Sequence, residues 1–184
     1  MENNLEWIYQ LSDSEINGLI NRIKTPKVKL AVIFMADAGL RLSEISNLTP
    51  LNLKFDPEGK LEAIVGLRYR AYKTKPMLRT IQVKLLKEHN LLSEDHERQI
   101  NEILSSHKAF KVSPRAVQIR VKKLAHFGFK FTASDLRDYF VFKALRNGVD
   151  SLSLMQVFDI FPYRHGRMDC AKDLQMFDGL KPMC

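Results

Sequence analysis

The sequence predicts an α+β fold, a mostly helical domain carrying a small antiparallel β-hairpin. Three observations carry the prediction. Apolar residues recur at helical spacing before residue 48 and again after residue 113. Between these stretches, from Leu61, the pattern changes to that of paired strands. Boundary residues punctuate the helical runs, with proline at 26 and 114 and glycine at 39 and 148. A chain of 184 residues with 45% hydrophobic content suits one domain with a proper core.

In order, Leu11-Ser12-Asp13-Ser14-Glu15-Ile16 is a helix start: Ser12 and Glu15 fit a capping box, and Leu11 can staple to Ile16. Ile16, Leu19, Ile20 and Ile23 follow at helical spacing until Thr25-Pro26 breaks the run. A second, apolar helix over 28–36 carries Val28, Ala31, Val32 and Met35 inward, and Gly39 stops it. Leu40, Leu42, Ile45 and Leu48 are assigned to the core, with a short helix ending near Thr49-Pro50. Residues 61–70 and 78–83 read as the two strands of the hairpin. Residues 85–104 read as polar and helical, and His89 and His96 as surface residues, since no partner makes them a ligand set. Ser113-Pro114 opens a helix with proline at its first position, an apolar stripe of Val117, Val121 and Leu124, and Phe127-Gly128-Phe129 as its end. In the last clear helix Ser134 is the predicted N-cap; Leu136, Phe140 and Ala144 face the core, and Gly148 is the stop. Tyr139 within it reads as packing.

A net charge of +8 favours an anionic partner, nucleic acid before membrane. Cys170 and Cys184 form neither a disulfide framework nor a metal-site spacing, which suits a reducing, cytoplasmic setting. No apolar run is long enough to span a bilayer, and the start lacks the basic region of a signal peptide.

Two places concentrate chemistry. Arg41 sits just past the glycine stop, held between buried neighbours, where its planar fork suits an anion such as phosphate. The plainer alternative is a helix-capping arginine paired with Glu44. The hairpin holds the densest positive patch, with Arg68, Arg70, Lys73, Lys75 and Arg79. It reads either as a basic finger against phosphates or as a strand edge guarded by charge.

Ala38-Gly39-Leu40-Arg41-Leu42-Ser43-Glu44 resembles the first arginine box of the tyrosine recombinase (phage integrase) family. Ser134-Asp135-Leu136-Arg137-Asp138-Tyr139-Phe140, followed by Asn147-Gly148-Val149-Asp150, is similar to that family's His-x-x-Arg helix. The two boxes stand in the family's order with a lysine hairpin between them, and the resemblance covers residues 12–155. It implies the DNA breaking-rejoining type of fold and a single integrase-like catalytic domain over 1–184. Residues 156–184 form a divergent C-terminal segment, and no separate N-terminal core-binding domain is expected.

The resemblance also implies site-specific recombinase chemistry on double-stranded DNA, through a 3′-phosphotyrosyl intermediate and with neither metal nor cofactor. Arg41 and Arg137 would clamp the phosphate oxygens, Lys73 would protonate the leaving oxygen with Lys75 as the fallback, and His165 would bond the phosphate. Arg68, Arg70, Lys75, Arg79, Arg115, Arg120, Lys122 and Ser134 would contact DNA. Self-association on DNA as a dimer or tetramer follows from the same family.

The chain departs from the family at three points. Ser134 and Asp138 stand where histidines flank the second arginine; serine is no general base near neutral pH, and an aspartate repels phosphate. Neither way of aligning the C-terminal segment brings a tyrosine into the nucleophile's place. Tyr163 through a rebuilt loop, a lost or replaced tyrosine, Cys170, and a misalignment all stay open. The alternatives are a non-cleaving DNA-binding protein on the recombinase fold, with an architectural or regulatory role, and a basic helical RNA-binding protein.

Overall fold

The computed structural model describes residues 8, 10–68, 77–106, 111–124 and 131–156. Its helices, in chain order, are α1 (Asp13–Asn21), α2 (Pro26–Ala38), α3 (Leu42–Ser46), α4 (Val83–Glu88), α5 (Glu94–Ser106), α6 (Pro114–Leu124), α7 (Ala133–Arg146) and α8 (Ser151–Gln156). A three-stranded antiparallel sheet, β1 (Leu53–Phe55), β2 (Leu61–Arg68) and β3 (Met77–Gln82), lies between α3 and α4 in that order. The α+β prediction holds.

α2 is the axle of the molecule. Every residue from Leu30 to Ala38 is buried, and α1, α3, α5, α6 and α7 pack around it. A helix apolar on all sides belongs in the middle of a core, since any face turned to water would waste its burial. Pro26 at its first turn costs no hydrogen bond, because the N–H it lacks would have no helical acceptor. At the other end Gly39 takes the left-handed conformation (φ 62°, ψ 23°), and the Leu40 N–H returns to the Phe34 carbonyl at 3.1 Å. That backbone is cheap for glycine and costly for a residue with a Cβ. Phe34, 1% exposed, is among the largest buried side chains; truncating it to alanine would cost about 3–5 kcal/mol.

α1 begins as its sequence dictates. Ser12 accepts the Glu15 N–H at 3.3 Å, while the Glu15 carboxylate accepts the Ser12 N–H at 2.8 Å. α6 starts at Pro114 and buries Val117 and Val121. In the sheet Leu53 pairs with Ile64, Ile64 with Ile81, and Arg68 with Met77. Ile64 and Ile81 are buried, and the sheet joins the helices through α3 and α4.

The structure corrects the sequence reading at several points. His96 is 1% exposed, not a surface residue, because Ile100 and Ile103 turn its face of α5 inward and a buried carboxylate receives its ring. The N-cap of α7 is Thr132 rather than Ser134: its hydroxyl accepts the Asp135 N–H, and Asp135 accepts the Thr132 N–H at 2.6 Å. Ser134 lies exposed in the first turn. Leu42 is only partly buried. The stretch 85–104 is two helices, divided where Asn90 takes a positive φ of 53°. β1 was not anticipated.

Candidate functional site

The two segments that carry Arg41 and Arg137 meet at the C-terminal end of α2. Gly39 turns the chain there, and Arg41 follows as the residue ahead of α3. The Arg41 N–H donates to the Glu44 carboxylate at 2.6 Å, and Glu44 is itself buried. The expected Arg41–Glu44 link is therefore a cap on the main chain, which fixes the backbone from which the Arg41 side chain projects. Arg41 is half-buried.

Arg137 arrives from the far side of the sequence. It lies in the first turns of α7, which packs along α2, and is likewise half-buried. Its Nε–H donates to the Gly39 carbonyl at 3.0 Å. That carbonyl belongs to the end of α2, where the last C=O groups lack helical partners and the dipole favours a cation. Gly39 stands two positions before Arg41, so the two arginine-bearing segments meet at one turn.

Beneath the turn lies a buried polar cluster that sequence reasoning missed. Asp37 and His96 are each 1% exposed, and Lys143 is 4% exposed. Lys143 Nζ lies 3.2 Å from Asp37 Oδ1 and donates to the Leu91 carbonyl at 2.8 Å. His96 Nδ1 is 2.5 Å from Asp37 Oδ2, and an accepting carboxylate requires the ring proton on Nδ1. Nearby, the Tyr139 hydroxyl donates to Asp13. Burial, with that bond and the Asp13 charge added, pushes the Tyr139 hydroxyl far above the ordinary tyrosine range, so it stays neutral. Tyr139 is a core residue, as its sequence position suggested. The detectable signal for His96 was its spacing from Ile100 and Ile103; a lone aspartate inside an apolar helix gave the hint for Asp37.

The other expected residues divide into three groups. Arg115, Arg120 and Lys122 are exposed on α6, with Ile119 (42% exposed) among them. Arg68 stands in β2 and Arg79 in β3, opposite Gly66. Arg70, Lys73, Lys75, Tyr163, His165 and Cys170 lie outside the described residues. Among the described residues no three His, Cys, Asp or Glu side chains converge as a metal site. No described helix is long and apolar enough to cross a membrane.

No protein-family model matches the chain, and neither does any curated protein. Among solved structures, the crystal structure of XerA recombinase resembles it with a TM-score of 0.59 and 18% sequence identity. The likeness covers 94% of this chain and 60% of that one, so this chain spans about three fifths of its neighbour's length. At that identity the likeness shows the fold: a distant, recombinase-like α+β architecture.

Proposed function

We propose that the chain is a recombinase-type catalytic domain that grips a phosphodiester of double-stranded DNA between Arg41 and Arg137. The observation that carries this reading is the 3.0 Å bond from Arg137 Nε to Gly39, the residue that turns the chain into Arg41. Residues almost a hundred positions apart have no local reason to share a turn. Two guanidiniums reaching from one turn would suit the dispersed charge of a phosphoryl transition state. The overall charge of +8 and the exposed cations of α6 supply the non-specific attraction to the backbone.

In this reading the attacking oxygen of a tyrosine, Tyr163 by the sequence assignment, displaces the 5′-oxygen of the scissile phosphate and forms a 3′-phosphotyrosyl bond. Lys73 delivers a proton to the departing oxygen, and His165 bonds the phosphate. A free 5′-hydroxyl reverses the step and rejoins the strand. The chain acts as one domain over 1–184, with a core of 12–155, and self-associates on DNA.

A second reading is favoured by a specific observation: Asp138, half-buried, directly follows Arg137, and Ser134 occupies the general-base position. A carboxylate there opposes an anionic transition state more than it opposes loose binding. That variant of the fold holds DNA without cutting it.

Incubation with a nicked duplex tests both. A covalent protein–DNA adduct that Tyr163→Phe abolishes, and that Arg41→Ala or Arg137→Ala reduces by orders of magnitude, supports cleavage. Absence of adduct alongside salt-dependent binding that both arginine changes weaken supports the non-cleaving form. Binding indifferent to both arginines overturns the shared premise.

A further inference from the structure

We propose that the buried Asp37–Lys143–His96 cluster is a positioning device that fixes the rotation and axial register of α2 against α7, and so the relative placement of Arg41 and Arg137. This inference rests on the two-arginine reading above.

Apolar packing leaves the facing of α2 undecided. From Leu30 to Leu40 every residue is buried, so no amphipathic stripe tells α2 which way to face. Burial is non-directional and roughly proportional to area, and a helix apolar all round can turn or slip at little cost in buried surface. Asp37 is the sole charged side chain in that run. Its two oxygens are claimed from two directions, Oδ1 by Lys143 on α7 at 3.2 Å and Oδ2 by His96 on α5 at 2.5 Å. Two partners on two different helices fix both the angle and the height of α2.

Lys143 is held as firmly. Its ammonium faces Asp37, the Leu91 carbonyl at 2.8 Å and, at 3.8 Å, the Asp13 carboxylate of α1. Two hydrogen bonds and one longer ion pair hold it from three sides. Asp37 precedes Gly39 by two residues, and Lys143 follows Arg137 by six, about 9 Å along the helix axis. The cluster therefore clamps the same two segments that carry the arginines, just beneath where they meet. A slip of one residue in either helix would leave a buried charge without its partner, a penalty of several kcal/mol for each ion. Buried ionic groups are often no better for stability than apolar ones of the same size, so their best-attested value is the selection of register.

The test separates positioning from stability by measuring how strongly Arg41 and Arg137 depend on each other. Affinity for a fluorescent duplex at fixed salt is measured for the full chain, Arg41→Ala, Arg137→Ala and the double variant. If both arginines share a phosphate, the double loss falls short of the product of the single losses by about three-fold or more, as residues in contact do. The same cycle is repeated in a background carrying Asp37→Leu, His96→Leu and Lys143→Met. The expected result is a melting temperature no lower than native with the three-fold coupling gone. Undiminished coupling in that background overturns the inference and leaves the two-arginine reading standing. Absent coupling in the native chain overturns that reading itself. Should the triple background not fold, Asp37→Asn is measured in its place: lost coupling supports the inference and retained coupling refutes it.

Discussion

Gly39 does two things that can be pulled apart. It ends α2 in the left-handed conformation, and it offers its carbonyl to Arg137. Substitution by alanine places a Cβ at φ 62°, where an L-residue is strained by about 1–2 kcal/mol. For a chain of this size each kcal/mol lowers the melting temperature by about 2–4 °C, so strain alone should bring Gly39→Ala about 2–8 °C below native, and the disturbed Arg137 bond adds to that. Gly148 is the control: it ends α7, has φ 81°, and a Cβ there meets nothing within 4 Å. Gly148→Ala should show the loss due to strain alone.

The two variants should part company in DNA binding. Alanine at 39 relieves its strain by rotating towards the right-handed region, and that rotation swings the carbonyl away from Arg137 Nε. Released from that carbonyl, the guanidinium is no longer held ready for a phosphate; a displaced charge-assisted contact to the ligand, worth about 1.5–3 kcal/mol, should weaken binding by about ten-fold or more. Gly148→Ala should leave affinity within two-fold of native, by the same scale of about 0.5 kcal/mol for distant changes. Melting curves and fluorescence anisotropy on a labelled duplex suffice. Combining Gly39→Ala with Arg137→Ala should add little in affinity, since both act through one contact. Unchanged affinity in Gly39→Ala, or equal losses in both glycine variants, would refute the argument.

Further outcomes follow from the same geometry. Glu44→Ala removes the acceptor of the Arg41 N–H at the start of α3; a lost cap costs about 0.5–2 kcal/mol, and both melting temperature and DNA affinity should fall. Tyr139→Phe should change the alkaline limb of stability. A folded-state pKa held above the free value contributes fully below about pH 10 and is lost as pH climbs beyond it, so native stability should decline above pH 10 more steeply than that of the variant. In a spectroscopic titration one tyrosine should resist ionisation until the chain unfolds. Arg120→Ala, at an exposed position of α6, should reduce the slope of log affinity against log salt by about one while leaving the melting temperature unchanged.

What the sequence disclosed, it disclosed through local rules. Ser12 and Glu15 are three residues apart, and their reciprocal bonds need nothing from the rest of the chain. Gly39 and Gly148 stop helices because backbone sterics demand it. The α7 cap was misplaced by two residues because Thr132 and Ser134 both carry hydroxyls; Asp135, answering the Thr132 N–H, decides between them. β1 escaped because three residues are too few to establish a period. His96 was misread because α5 is polar on average, and only its spacing from Ile100 and Ile103 reveals the inward face. That the segments around residues 41 and 137 meet was suggested by the resemblance alone, since no periodicity links them. Asp37 was hinted at by its apolar surroundings, but its pairing with Lys143 was not legible: each looks like an error in an apolar stripe until the other is found opposite it.

The position of the site follows from the same axle that builds the core. A helix buried on every side brings its unsatisfied terminal carbonyls into the interior, where each needs a donor. Arg137 meets that need at Gly39, so its guanidinium serves the fold before it serves any ligand. Fold and site are therefore coupled at this residue, and Arg137→Lys exposes the coupling. Lysine keeps the charge but has no Nε–H along its stem and no planar fork. The Gly39 carbonyl loses its donor, and the melting temperature should fall along with DNA affinity, while the salt slope, set by charge, stays as it was. A variant that lost affinity with its melting temperature intact would mean that the Gly39 bond is incidental to the fold, and the site would then owe its geometry to something other than the end of α2.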